Sequence, residues 1–69
     1  MELEGRVSSL RGSCPALTFV VSGVTVETDG STEYRGGNCK KVDEGHRIGV
    51  TGRRQTDGHV RAEEVDLKP

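Results

Sequence analysis

Two cysteines and two histidines are the residues of this chain whose types are best suited to chemistry. Cys14 lies in the segment Ser-Cys-Pro-Ala-Leu-Thr-Phe, and Cys39 follows Gly-Gly-Asn. A thiolate beside His46 or His59 could act as a nucleophile, and the four side chains together could bind a metal ion. Zinc sites usually bring their ligands in closely spaced pairs, whereas these four lie far apart in sequence. We therefore predict no metal site. We also predict no cofactor and no catalytic site.

A disulfide between the two cysteines is the chemistry that the size of the chain favours. The 69 residues, of which 30% are hydrophobic and 3% aromatic, predict one domain over residues 1–69 with a thin core. A bond between Cys14 and Cys39 would close a loop of about 25 residues, for which the chain-entropy model gives roughly 3.5 kcal/mol. Two separate buried thiols are the alternative.

A structural disulfide also bears on the compartment. Such bonds persist outside the reducing cytosol, so we expect a periplasmic or extracellular location. The sequence shows neither a signal peptide nor a membrane-spanning apolar run. We therefore expect no membrane insertion, and we expect the domain to be a mature fragment or one piece of a longer exported chain.

The elements that must position these residues are predicted to be strands, because no window has a helical period. Apolar residues alternate through 17–21 and again through 24–28. The Ser22-Gly23 pair between them predicts a hairpin with a two-residue turn. We expect the second of these strands to end or kink at Asp29-Gly30.

The rest of the chain divides into further strands, loops and one helical insert. Near the start of the chain we expect a strand over about 3–10 with a bulge near Ser8-Ser9, followed by a loop over 11–15. In the middle we expect the third strand to continue at Thr32 and Tyr34, and one or two helical turns within 36–45 capped by Asn38. Towards the end we expect a strand over 47–55, a hairpin loop over 56–58, and a last strand from Val60 to Leu67 with a bulge at Glu63-Glu64. This pattern predicts an all-β fold, a small five-stranded Greek-key barrel of OB type with a short helical turn between strands three and four. A β-sandwich or an SH3-like barrel is the alternative.

The sequence also resembles a bacterial family, the domain of unknown function 5666. The similarity rests on segments 13–19, 25–28 and 37–39 and on Asp57-Gly58 with Ala62, Val65 and Leu67. It implies an OB-like domain of exported or lipoprotein chains, sometimes repeated in tandem, and it supports the pairing of Cys14 with Cys39. It implies no catalytic residue and no ligand.

The net charge of −1 is unevenly distributed along the chain. Residues 35–54, here called the basic stretch, carry six basic and two acidic side chains. OB folds bind single strands by combining a basic groove with aromatic stacking, and Tyr34 is the one ring we expect to be exposed. The candidate residues for such binding are Tyr34, Arg35, Arg47, Arg53, Arg54 and Arg61.

Taken together, these patterns predict a non-enzymatic binding or scaffold module of an exported bacterial protein. We expect a monomer whose partner is another protein or a neighbouring repeat. One alternative is a single-stranded nucleic-acid or anion binder that uses the basic stretch, although the shortage of aromatic residues disfavours a nucleic-acid partner. Another alternative is a structural repeat unit that packs on a neighbouring copy.

Overall fold

A computed structural model describes residues 1–68, and these form an all-β fold. Seven strands belong to one sheet: β1 (Glu2–Arg6), β2 (Ser8–Ser13), β3 (Ala16–Val21), β4 (Val24–Glu27), β5 (Glu33–Arg35), β6 (Arg47–Arg54) and β7 (Val60–Leu67). The described residues contain one helical element, a 3-10 turn over Cys39–Lys41. Within residues 1–68, no helix has the length and apolar character needed to cross a bilayer.

The sheet is not the closed five-stranded barrel that the pattern predicts. Hydrogen bonds connect the strands in the order β1-β6-β7-β4-β3-β2, with β5 also beside β7, so the path is open between β1 and β2. These two strands follow each other in the chain and are separated by Val7. The Val7 amide instead donates a hydrogen bond to the His46 carbonyl at 2.9 Å, and the Val7 carbonyl accepts one from the Gly45 amide at 2.7 Å. The predicted first strand is therefore divided at this residue, and its halves pair with different neighbours.

The start of the chain also corrects one predicted loop. The bulge expected near Ser8-Ser9 is present, because the pairing of β2 with β3 shifts between Ser8 and Arg11 and Ser9 has a φ of 52°. The loop predicted over 11–15 is wrong, since β2 continues to Ser13 and pairs there with Ala16. Only Cys14 and Pro15 remain in the turn.

The hairpin between β3 and β4 has the predicted register. Val21 pairs with Val24, and Phe19 pairs with Val26. Ser22 has a φ of 51° and the glycine after it a φ of 78°, which is the backbone conformation that the favoured two-residue hairpin turns require. Phe19 and Val26 are fully buried.

The bulge predicted in the last strand is also confirmed. Thr51 pairs with Glu64 and Gly52 with Ala62, so Glu63 is an extra residue on β7. The extra residue restores the inward direction of the side chains that follow it. The core lies on the inner face of the curved sheet and comprises Val7, Leu17, Phe19, Val21, Val26, Val42, Ile48, Val50, Val60, Ala62, Val65 and Leu67.

The predicted disulfide is present and joins two turns at one end of the sheet. Cys14 in the β2–β3 turn is bonded to Cys39 at the start of the 3-10 turn, with Cα atoms 5.9 Å apart. The side chain of Asn38 accepts a hydrogen bond from the Lys40 amide at 2.9 Å, as predicted for a cap. The predicted helical insert is thus a single short turn.

Candidate functional site

The outward face of β6 has small side chains at its centre and carboxylates on both sides. Gly49 and Thr51 point away from the core, in alternation with the buried Ile48 and Val50. Four carboxylates from the two neighbouring strands flank this floor: Glu2 and Glu4 opposite it on β1, Glu64 and Asp66 opposite it on β7. We call the depression lined by these residues the acidic groove.

Lys68 shows how the acidic groove accommodates a cation. Its ammonium nitrogen lies 3.5 Å from a carboxylate oxygen of Glu4 and 3.6 Å from one of Asp66. Among residues 1–68, Glu2 forms no ion pair, and its end of the groove faces solvent. Glu64 is paired as well, with Arg35 at 2.7 Å, so the four carboxylates of the groove outnumber the two basic side chains that pair with them among residues 1–68.

Gly49 is a glycine although the fold does not require one there. A Cβ built on Gly49 would meet nothing closer than the Lys68 side chain at 3.7 Å. Glycine inside a strand costs about 0.5–1 kcal/mol relative to alanine. It often marks a place where a ligand or another backbone approaches closely. The missing side chain leaves room over the floor of the acidic groove, and the Lys68 side chain occupies part of that room.

The arginines predicted for nucleic-acid binding are exposed, as expected, but several of them form an ion pair with a nearby carboxylate. Arg53 and Arg61 lie directly opposite each other on β6 and β7. The Nε of Arg53 lies 3.3 Å from a Glu63 carboxylate oxygen, and a guanidinium nitrogen of Arg61 lies 3.0 Å from one of Asp29. These carboxylates reduce the positive field that a phosphate backbone would encounter.

The other predicted arginines are dispersed over the surface. Arg35 on β5 donates to Glu64 at 2.7 Å, and this hydrogen bond raises the pKa of the Arg35 guanidinium. Arg47 lies about 20 Å from Arg53 along β6, by the rise of an extended strand. A guanidinium nitrogen of Arg54 donates a hydrogen bond of 3.4 Å to the carbonyl oxygen of Gly58, in the loop between β6 and β7. The structure thus brings together Arg53 and Arg61 but not the whole predicted set.

Tyr34 does not present the exposed ring that we predicted. It is partly buried against the core, and its hydroxyl oxygen is buried without a hydrogen-bond partner among residues 1–68. The reason is the register: β5 runs parallel to β7, and Tyr34 aligns with the fully buried Val65. Its side chain therefore shares the inner side of the sheet.

A second group of charged side chains lies where β4 meets the start of β7. We call Glu27, Asp57 and His59 the His59 cluster. The Nδ1 atom of His59 lies 2.8 Å from a Glu27 oxygen and 3.7 Å from an Asp57 oxygen. The hydrogen bond to Glu27 raises the pKa of His59, with a smaller contribution from the charge of Asp57.

The four cysteine and histidine side chains considered from the sequence do not form one site. Cys14 and Cys39 are bonded to each other, so neither supplies a thiolate. His46 donates from Nε2 to the carbonyl oxygen of Lys68 at 2.8 Å, whereas His59 belongs to the cluster at the other end of β7.

Sequence reasoning missed the acidic groove and the His59 cluster because both depend on strand register. The sequence did contain a signal for the groove. Carboxylates alternate at 2 and 4 and again at 64 and 66, and the outward positions of β6 between them hold Gly49 and Thr51. Only the pairing of β6 with both β1 and β7 brings these rows together.

A family model, the domain of unknown function DUF5666, matches residues 4–66. The chain belongs to this family. The match extends over most of the DUF5666 sheet, from Glu4 in β1 to Asp66 in β7, and it includes both bonded cysteines and Gly49. No curated protein matches the chain, and no solved structure does either. The description of the family gives no activity, so the function has to be inferred from the surface of the domain.

Proposed function

We propose that this DUF5666 domain is a non-enzymatic binding module of an exported bacterial protein and that its acidic groove binds a basic segment of a partner protein. The observation that carries this proposal is the floor of the groove. Carboxylates surround a strand glycine that nothing in the fold requires, and the ammonium group of Lys68 lies between two of them.

The energetics of the groove favour a partner with several positive charges. An exposed ion pair contributes only about 0–1 kcal/mol, so one lysine would bind weakly. A partner backbone that displaces the flexible Lys68 side chain would approach β6 at Gly49, while its basic side chains reach the carboxylates of β1 and β7. Because these charges are exposed, we expect the affinity to fall steeply as the salt concentration rises.

Two features support the finer parts of the proposal. The disulfide supports an exported protein, because such bonds persist in oxidising compartments. The strand order supports an OB-like origin, since the first and last members of the path, β1 and β2, are halves of one continuous segment. Opening a five-stranded Greek-key barrel within its first strand would give this arrangement.

The test is a titration of the isotopically labelled domain with a short lysine-rich peptide, followed by NMR. We expect amide shifts to change in β1, β6 and β7. The double variant Glu2→Gln/Asp66→Asn should bind about fivefold more weakly, from two pairs of roughly 0.5 kcal/mol each. Asp43→Asn/Glu44→Gln removes two exposed carboxylates outside the groove and is the matched control, which should bind as the unmodified domain does.

The same titration tests the nucleic-acid alternative. Peptide binding that the groove variant does not weaken would contradict the proposal. Tighter binding of a mixed-sequence single-stranded DNA, with shifts at Arg35, Arg53 and Arg61, would favour a nucleic-acid binder that uses the basic stretch together with Arg61.

One observation favours the repeat-unit alternative as a second candidate. Arg6 of β1 lies directly opposite Arg47 of β6, and in residues 1–68 neither forms an ion pair. Like charges directly opposite each other are unfavourable, and the acidic groove of a neighbouring copy would offset them. Analytical ultracentrifugation tests this candidate. Self-association that Arg6→Gln weakens would support it, and a monomer at high concentration would contradict it.

A further inference from the structure

The His59 cluster offers three ligand atoms of two chemical types, from the end of β4 and from the loop between β6 and β7. Glu27 is the last residue of β4, Asp57 lies in the loop between β6 and β7, and His59 directly precedes β7. One nitrogen and two carboxylate oxygens from these side chains lie within 4.8 Å of one another. Imidazole combined with carboxylate is a donor set that suits first-row divalent cations, whereas Ca²⁺ and Mg²⁺ prefer oxygen alone.

The two distances from His59 Nδ1 to the carboxylate oxygens are close to those that a small cation requires, and all three ligand atoms lie within 4.8 Å of one another. Zinc bonds of about 2.0–2.2 Å in a tetrahedron place neighbouring ligand atoms about 3.3 Å apart. The Nδ1 of His59 lies 3.7 Å from the Asp57 oxygen and 2.8 Å from the Glu27 oxygen. Small rotations about the side-chain torsions, opening one distance and shortening the other, would admit the ion.

Hydrogen bonds outside the proposed ligand atoms hold both carboxylates in place. The second oxygen of Asp57 accepts from the backbone amide of His59 at 2.9 Å. In the amide orientation that satisfies both of its neighbours, Gln55 donates to the second oxygen of Glu27 at 3.3 Å and accepts from Arg61 Nε at 3.1 Å. Each carboxylate thus has one oxygen held by the protein and the other directed at His59. Such outer partners orient the ligands in metal sites.

We propose that Glu27, Asp57 and His59 form a binding site for a first-row divalent cation such as Zn²⁺. The ligands are one oxygen from each carboxylate and Nδ1 of His59, whose ring then carries its proton on Nε2. The two carboxylates neutralise the charge of the ion. The side chain of His59 is 40% exposed, which leaves a coordination position open to water or to a group from a partner. The site is separate from the acidic groove and does not depend on it.

The experiment is a Zn²⁺ titration of the unmodified domain, with the ring protons of both histidines followed by NMR and the affinity measured by calorimetry. We expect one equivalent of Zn²⁺ to shift the His59 signals and to leave those of His46 unchanged. His46 is an internal control, because its Nε2 already forms a hydrogen bond with the Lys68 carbonyl oxygen. Mg²⁺ at the same concentration should leave both rings unchanged.

Three variants test the location of the site, so the conclusion does not depend on any single variant being folded. Asp57→Asn and Glu27→Gln keep the size of the side chain and should each weaken Zn²⁺ binding by at least about tenfold, the lower bound seen for outer-shell partners. Gln55→Ala removes only a positioning residue and should weaken binding by about tenfold, whereas His46→Gln should bind normally. Equal shifts at both histidines, no shift at either, or full affinity in the two carboxylate variants would overturn the proposal.

Discussion

Gly49 and Gly52 lie three residues apart on β6 and face opposite sides of the sheet. A Cβ on Gly52 would overlap the carbonyl oxygen of Arg61 and lie 2.9 Å from its carbonyl carbon. This close approach occurs where the pairing of β6 with β7 shifts around the bulge. A Cβ on Gly49 would meet only ordinary contacts, the nearest at 3.7 Å. The fold therefore requires glycine at one of these positions and tolerates a side chain at the other.

This difference between the two glycines distinguishes the inner face of the sheet from the outer face. On the inner face, packing and backbone approach determine which residue fits. On the outer face around Gly49, the fold leaves the choice open, and a costly strand glycine is found among carboxylates. A residue that stability does not explain is therefore a guide to function.

The largest expected effect belongs to the inner face. Phe19→Ala should lower the free energy of unfolding by about 3–5 kcal/mol, since it removes the largest fully buried side chain. Urea denaturation measures this change. Arg53→Ala on the outer face is the control and should stay within about 0.5 kcal/mol, because its side chain is 85% exposed. A loss below about 1 kcal/mol for Phe19→Ala would contradict the described core.

The disulfide joins two turns at one end of the sheet, and its Cys39 packs against the core. Cys14→Ser should lower the free energy of unfolding by about 2–5 kcal/mol, because it releases a constraint on the unfolded chain. Thermal melting with and without reductant checks this expectation. The unmodified domain should melt at a lower temperature when reduced, and the variant should melt at the same temperature in both conditions. Equal melting of the unmodified domain would show that the bond contributes little.

The two glycines themselves provide the sharpest comparison of stability. Gly52→Ala should destabilise by about 1–3 kcal/mol, because backbone or bulge must shift to admit a methyl group. Gly49→Ala should leave stability unchanged or raise it by up to about 1 kcal/mol. Parallel urea titrations of the two variants measure both. Similar losses at the two positions would remove the distinction between the faces.

The smallest expected effect is a pH dependence that comes from His59. Its pKa in the folded protein is raised from the ordinary value of 6.5, chiefly by the hydrogen bond to Glu27. The resulting stabilisation is complete below the pKa of the unfolded chain and is lost as the pH rises through the higher folded pKa. We therefore expect the free energy of unfolding, measured with EDTA present, to decline above about pH 6.5. His59→Gln should abolish this part of the decline and His46→Gln should retain it; identical profiles in all three proteins would contradict the assignment.

The sequence was sufficient to predict features set by local pattern. The β3–β4 hairpin follows from alternation and from the Ser22-Gly23 turn, and the bulge at Glu63 follows from the change of parity in the last strand. The disulfide follows from the small size of the chain and its two cysteines. Each of these depends on neighbouring residues or on a single pairing.

The features that the sequence did not predict depend on contacts between distant strands. The break at Val7 results from backbone hydrogen bonds to residues of the loop before β6, which no local pattern reveals. The burial of Tyr34 results from a parallel pairing of β5 with β7. The acidic groove depends on three strands that meet, and the His59 cluster depends on the end of β4 meeting the β6–β7 loop. Composition and spacing identify the residues of each group but not their proximity.

The most direct test of the acidic groove is the affinity of Gly49→Val for the lysine-rich peptide. Valine favours strands, and the space around this position admits a Cβ, so we expect the variant to fold at least as stably as the unmodified domain. Its side chain would fill the floor of the groove without changing any charge. We predict a clear loss of peptide affinity with stability retained. Undiminished affinity in the folded variant would contradict the proposal that partners bind over this floor.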